Sequence, residues 1–390
     1  MTGKPFQTNK PFQTGNVLLL SLSHFVHDIY TSFLSPLLPL IIEKLSLTLG
    51  QAGLLSTMLQ LPSLLNPVIG VLADRKGWVR WLVILAPSLT AIPMSLMGSV
   101  SSYAILLGLF TLAGTSVALF HVPAPVLVAQ VSGSKKGRGM SFYMTGGEAA
   151  RTVGPLVAVG MVSAMGLDRF YWIGLAAIAT STLLFFKLGH LSIEANGSPR
   201  PSIMTTFRDI RHILVPLSGI LTARAFMFSA MSVFLPVLVN KQTGSLWMAG
   251  SALVAYEAMG VAGVMSAGIL SDRMGRKKIL FAVLAAAPFA MLGFIYFTGF
   301  ARFIMLLVAG FSILATTPVM LALVQENAGA SPAAANGLFM MVSFVVRSIT
   351  IVVVGTIGDI TGLETMFVFS AIIGFLAIPF LMKLKEPARP

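Results

Sequence analysis

Gly70-Val71-Leu72-Ala73-Asp74-Arg75-Lys76-Gly77 returns 198 residues later (268 − 70) as Gly268-Ile269-Leu270-Ser271-Asp272-Arg273-Met274-Gly275. Each copy follows an apolar run and opens a short basic turn before the next apolar run. A second pair keeps nearly the same offset: Leu38-Pro39-Leu40-Ile41-Ile42-Glu43-Lys44 matches Leu235-Pro236-Val237-Leu238-Val239-Asn240-Lys241, 197 residues on (235 − 38). A repeat at half the length of a 390-residue chain indicates that one module was duplicated.

The modules belong in a bilayer. The chain is 56% hydrophobic and 10% charged, with a mean hydropathy of +0.88, more apolar than a soluble domain needs to fill one core. Charges, Pro and Gly divide it into twelve apolar runs, roughly 17–42, 50–73, 80–99, 102–131, 141–166, 170–188, 212–239, 247–271, 279–298, 302–325, 334–357 and 363–383. A spanning helix takes about 20 residues. The expected fold is therefore an all-α integral membrane protein with twelve transmembrane helices in two pseudo-symmetric six-helix bundles. The bundles are 1–188 and 212–390, joined by a polar cytosolic linker, 189–211, that contains Asn196-Gly197-Ser198-Pro199-Arg200-Pro201. No cleavable signal peptide is expected, because the first run is far longer than a signal-peptide apolar region of about 7–15 residues.

Lys and Arg set the orientation. With both termini in the cytosol, 19 fall on inside segments and only 4, Lys44, Arg169, Lys241 and Arg302, on outside loops. That is a positive-inside signature. It also accounts for the net charge of +13 through topology and lipid headgroups, so nucleic-acid binding is not expected. Cys is absent, which removes disulfide and thiol chemistry.

Nine ionisable side chains sit inside the apolar runs: His24, His27, Asp28, His121, Glu148, Arg151, Arg224, Glu257 and Arg347. Each buried charge costs about 2.5–3.5 kcal/mol on insertion scales, so these positions are functional candidates. His24, His27 and Asp28 are spaced i, i+3, i+4 and share one helical face. A carboxylate among imidazoles suits proton coupling, with Asp28 leading, and Glu148 and Glu257 as further proton carriers. The alternative is that His24 and Asp28 only tie the first run to a neighbour. A metal could use the His-x-x-His-Asp face, but no second ligand cluster appears in the sequence, so no metal site is expected. Glu148 and Arg151, one turn apart, form either an internal ion pair or a cavity pair in which Arg151 is freed for an anionic substrate. Arg224 aligns with His27 under the 197 offset and is the first choice for a substrate anion, against a structural salt bridge to Asp28 or Glu257. Arg347 and Glu257 either pair or take part in binding; Arg347, His121 and Tyr256 complete the substrate-binding candidates. His121 precedes Pro123 and Pro125, which interrupt the backbone ladder and mark a gate, a cavity wall or a packed kink.

The duplicated Gly-x-Leu-(Ala/Ser)-Asp-Arg-x-Gly loops resemble the loop signature of the major facilitator superfamily, over nearly the whole chain. Leu22-Ser23-His24 with Asp28, Phe120-His121, Gly146-Gly147 with Gly154-Pro155-Leu156, and Val324-Gln325-Glu326 resemble its fosmidomycin resistance branch of drug/proton antiporters. The resemblance implies that Gly70, Asp74 and Arg75, with Gly268, Asp272 and Arg273, latch the outward-facing state; positive-inside topology alone is the other reading of these loops. Gly146, Gly147, Gly154 and Pro155 look like a degenerate form of the superfamily's antiporter motif and tilt the direction toward export, although small residues also serve helix packing.

The expected function is export of a small amphipathic or anionic compound, a drug or metabolite, in exchange for protons by alternating access in the inner membrane. The alternatives are proton-coupled import of an organic anion and, from another class, a non-transporting receptor or sensor, disfavoured because no sizeable soluble domain is visible. No enzyme constellation and no cofactor motif rises from the sequence. The expected partners are a small-molecule substrate, protons and membrane lipid, with the protein a monomer.

Overall fold

A computed structural model of the chain describes residues 11–66, 69, 78–133, 135–189, 203–327 and 332–384. Most of these residues are helical, and they contain ten helices long and apolar enough to cross a membrane. Two of the twelve apolar runs fall outside that count. The second run is described only as far as α3, Leu49–Gln60, with a 3₁₀ turn at Leu61–Leu65; its loop residues Gly70, Asp74 and Arg75 lie outside the described residues. The fifth run does form a helix, α7, Lys136–Met165, but its Gly, Ser and Thr content and the Glu148–Arg151 pair make it too polar to qualify by composition.

Prolines break three runs. The first splits into α1, Thr14–Thr31, and α2, Leu34–Leu45, because Pro36 lacks the amide that would take the Ser32 carbonyl. The fourth splits into α5, Tyr103–His121, and α6, Ala124–Val131, where Pro125 likewise leaves the His121 carbonyl without its helical partner. In the seventh, α9, Ile203–Ser229, and α10, Leu235–Thr243, are joined by a π-helical stretch at Ala230–Phe234, ahead of Pro236. The remaining helices are α4, Val79–Leu96; α8, Gly174–Leu188; α11, Leu246–Met274; α12, Arg276–Tyr296; α13, Gly299–Glu326; α14, Pro332–Thr361; α15, Leu363–Gly374; and α16, Ala377–Met382.

The chain packs as two units: Met1–Phe33 with Leu65–Gly197, and Leu34–Leu64 with Ser198–Pro390. In the first unit α1 lies against α7, α4 and α8. Its core is aliphatic and aromatic, with Val17, Leu20, Ile84, Phe120, Leu127 and Leu184 removed from solvent. In the second, α13 packs against α11 and α12, and α14 against α3 and α9, over a core that includes Leu217, Ile220, Leu284, Val319 and Leu381. Large apolar side chains such as Phe186, Phe300 and Ile360 point outward, the pattern of helices whose solvent on that face is lipid.

Candidate functional site

Among the described residues, each unit holds a constellation of polar groups within its apolar helices. In the first, the α1–α7 seam builds it. Ser21 Oγ donates to Phe142 O at 2.7 Å and His24 Nδ1 to Tyr143 O at 2.8 Å, and the His24 and Tyr143 rings stack with centroids 4.1 Å apart. The approach requires glycine at Gly146 and Gly147. A Cβ on the former would lie 2.3 Å from Ser21 O, and on the latter 2.5 Å from the His24 ring. The glycines marked in the sequence as a packing or antiporter motif therefore seat the proton-coupling candidate His24, and Gly154 meets Ser32 in the same way.

Asp28 is the centre. It is 6% exposed, and three imidazoles converge on its carboxylate: His27 Nδ1 at 2.9 Å, His24 Nε2 at 3.2 Å and His121 Nε2 at 3.4 Å. His121 stands at the last residue of α5, just before the Pro123–Pro125 interruption, and reaches Asp28 from there. The spacing on α1 anticipated the first two histidines. His121 was read from sequence as a substrate contact, and its place beside Asp28 depends on how α5 packs.

The hydrogen-bond partners of the imidazoles fix what the cluster can do. His24 Nδ1 and His121 Nδ1 each face a backbone carbonyl, Tyr143 O at 2.8 Å and Val117 O at 3.0 Å, and a carbonyl only accepts. Both Nδ1 atoms therefore carry hydrogen, by inference from the network. A neutral ring then turns an Nε2 lone pair toward the carboxylate, and an attractive contact needs either an imidazolium or a proton on Asp28. The ligand atoms of His24, Asp28 and His121 lie within 4.8 Å of one another, near enough to share one cation, proton included. Nearby on α7, Arg151 and Glu148 form an ion pair, a contact that both readings of their spacing allow.

In the second unit α9 presents Arg224 and, one turn on, Phe228. The Arg224 guanidinium donates from Nε to Ile313 O and from Nη2 to Thr317 Oγ1, both at 2.9 Å, so α13 fixes its direction. Its Cζ is 5.2 Å from the centroid of the Phe228 ring, and the Arg347 Cζ, from α14, is 4.1 Å from the same ring. Two guanidiniums thus share one aromatic ring, whose quadrupole attracts both. Tyr256 is fully buried on α11 within electrostatic reach of Arg224, Arg347 and the adjacent Glu257. The structure brings Arg224, Arg347 and Tyr256 together as sequence candidates. Phe228, an apolar residue in an apolar helix, gave no signal of its own.

In the second copy of the repeated loop, Asp272 pairs with Arg276 at 2.5 Å, one turn on. Arg276 also reaches Ser271 Oγ at 2.6 Å and Glu326 Oε1 at 2.8 Å. Gly268 has open space around it, with nothing within 4 Å of a Cβ built there.

Known proteins agree with this architecture. The fosmidomycin resistance protein of Escherichia coli (strain K12) is 26% identical over 375 residues, which cover 92% of this chain and 91% of that protein. The multidrug resistance protein MdtG of Serratia proteamaculans (strain 568) is 27% identical over 312 residues, covering 74% and 75%. A bacterial homologue of the human lysosomal transporter Spinster, solved in an inward-facing and occupied conformation, superposes with a TM-score of 0.81 at 15% identity, covering 96% of this chain and 97% of that one. The sequence profile of the Major Facilitator Superfamily matches residues 20–351, and with apolar helices in the arrangement of that fold the chain is a membrane transporter of the major facilitator superfamily.

Proposed function

We propose that the protein exports a small amphipathic or anionic compound, a drug or metabolite, in exchange for protons, by alternating access of its two repeat halves. The observation that carries the reading is Asp28 with three imidazoles on one carboxylate. Such a group binds a proton in one state and releases it in another when its surroundings change, because desolvation and neighbouring charge set its proton affinity. Arg224 and Arg347, with Tyr256 beside them, supply positive charge and a hydroxyl for the substrate anion. The names of the two relatives, both for drug resistance, support export over uptake. The positive-inside count supports an inner-membrane protein with cytosolic termini. The duplicated loops act as the latch of the cycle, with protons, lipid and a small molecule as the partners of a monomer.

The test is Asp28→Asn in proteoliposomes. Neutral Asn imitates the protonated carboxyl and cannot cycle, so proton-driven accumulation is lost while substrate exchange persists. Uphill transport at the wild-type level in this variant would reject the assignment.

A further inference from the structure

One arm of the Asp28 cluster runs through His27 to α4 and α5. His27 is fully buried and stacks on Phe120 with centroids 4.2 Å apart. Its Nδ1 is 2.9 Å from Asp28 Oδ1, and its Nε2 is 2.9 Å from Thr90 Oγ1 on α4. Thr90 Oγ1 is 2.8 Å from Ser116 Oγ on α5, which is 3.2 Å from Ala86 O. No residue of the line, from carboxylate through imidazole and two hydroxyls to a helix carbonyl, is more than 6% exposed.

The line can be ordered in two directions. With Asp28 ionised, His27 Nδ1–H donates to it, Thr90 donates to His27 Nε2, and Ser116 donates to Thr90. With Asp28 protonated on Oδ1, the oxygen that faces His27, and not on Oδ2, which faces His24, its O–H donates to Nδ1, Nε2–H donates to Thr90, Thr90 donates to Ser116, and Ser116 donates to Ala86 O. Every buried donor has an acceptor in both orders, and His27 stays neutral while its hydrogen changes nitrogen. The line ends at a carbonyl inside α4, so it stores a hydrogen-bond direction and conducts no proton to water.

We infer that Thr90 and Ser116 are positioning residues that set the proton affinity of Asp28 through the tautomer of His27, an inference that rests on the proton-coupled reading above. The ionisable groups facing this imidazole are Asp28 and His24 on its own helix and His121 at the end of α5. Beyond them on α7 lie Tyr143, against His24, and the Arg151–Glu148 pair. None of these touches Nε2, whose partner is Thr90.

Thr90→Val keeps the shape and removes the hydroxyl. The Asp28-protonated order then leaves the Nε2–H of His27 without an acceptor, so proton affinity falls. The pH midpoint of proton-driven transport should move toward acid by about one unit, the tenfold loss expected when one buried donor is orphaned. Thr90→Ser restores the hydroxyl and should restore the midpoint. A second readout is independent of transport: nitrogen NMR of the His27 ring in the purified full chain, assigned with His27→Gln. The wild type should pass from the Nδ1–H to the Nε2–H tautomer as pH falls, and Thr90→Val should hold Nδ1–H throughout. Where Asp28→Asn abolishes uphill transport, an unshifted midpoint in Thr90→Val overturns the inference, and the same tautomer change in wild type and variant overturns it in any case. If Asp28→Asn leaves uphill transport intact while the NMR arm behaves as stated, the coupling assignment fails and the positioning role stands.

Discussion

The carboxylate of Asp359, near the end of α14, caps Gly50 at the start of α3: Oδ2 takes the Gly50 amide at 2.8 Å and Oδ1 the neighbouring Leu49 amide at 2.6 Å. Thr48 and Gln51 close a capping box around the same turn. The first four amides of α3, which no helical carbonyl can reach, are all satisfied, two of them by a residue some 310 positions away. The acid also sits at the positive end of the α3 dipole.

Asp359→Ala should therefore destabilise the protein by about 1–2 kcal/mol, the scale of a lost helix cap. Asp359→Asn, which keeps one carbonyl oxygen for an amide, should lose less. Apparent Tm in detergent orders the three proteins, and three equal values would show that the cap contributes nothing to stability.

Two glycine substitutions should have opposite effects. A methyl at Gly147 meets the His24 ring at 2.5 Å, so Gly147→Ala should displace the ring from Asp28, lowering proton-driven transport at least tenfold if the imidazole position matters. At Gly108, on α5, nothing lies within 4 Å, and Gly108→Ala should raise helix stability by up to about 1 kcal/mol with transport unchanged. Transport assays and Tm on both variants check the contrast.

What the sequence revealed and what it hid divide along physical lines. The repeat, the proline break after His121, the Glu148–Arg151 pair and the shared face of His24 and Asp28 are local patterns, set by spacing and helix geometry. His121 joins Asp28 across 93 residues (121 − 28), a contact decided by how α5 packs on α4 and α4 on α1, which periodicity does not encode. Thr90 and Ser116 are small hydroxyls that α-helices tolerate anywhere, and Phe228 looks like any lipid-facing ring until two guanidiniums meet it. Arg276 was counted among the inside charges, and the repeat itself concealed its role. Its counterpart under the 198 offset is Trp78 (276 − 198), so the clamp has no equivalent residue in the first copy.

Arg224→Lys replaces a planar fork with a point charge and cannot keep the bonds to Ile313 O and Thr317 Oγ1 together. Transport of anionic substrates should weaken about tenfold or more, while a neutral substrate is little affected. Phe228→Leu, which removes the ring that both guanidiniums share, should weaken anions in the same selective way. Equal loss for anionic and neutral substrates, with poor folding, would mark the pair as structural.

Three charges each stand at an unfavourable helix end. Asp272 and Glu326 lie at the C-terminal ends of α11 and α13, where the helix dipole disfavours an anion, and Arg276 opens α12, where it disfavours a cation. Arg276 holds both acids, Asp272 at 2.5 Å and Glu326 at 2.8 Å, so each charge offsets the others. All three side chains reach solvent, which limits the direct value of each pair to about 1 kcal/mol or less. The sign of a second mutation is the sharper test. In the wild type, Glu326→Gln removes a partner of Arg276 and should lower Tm slightly. In Arg276→Ala, Glu326 is left as an anion at a helix C-terminus, and Glu326→Gln should raise Tm. A double-mutant cycle measures this reversal directly, and salt should shrink it. Additive effects of the two substitutions would mean that Arg276 and Glu326 touch without stabilising each other.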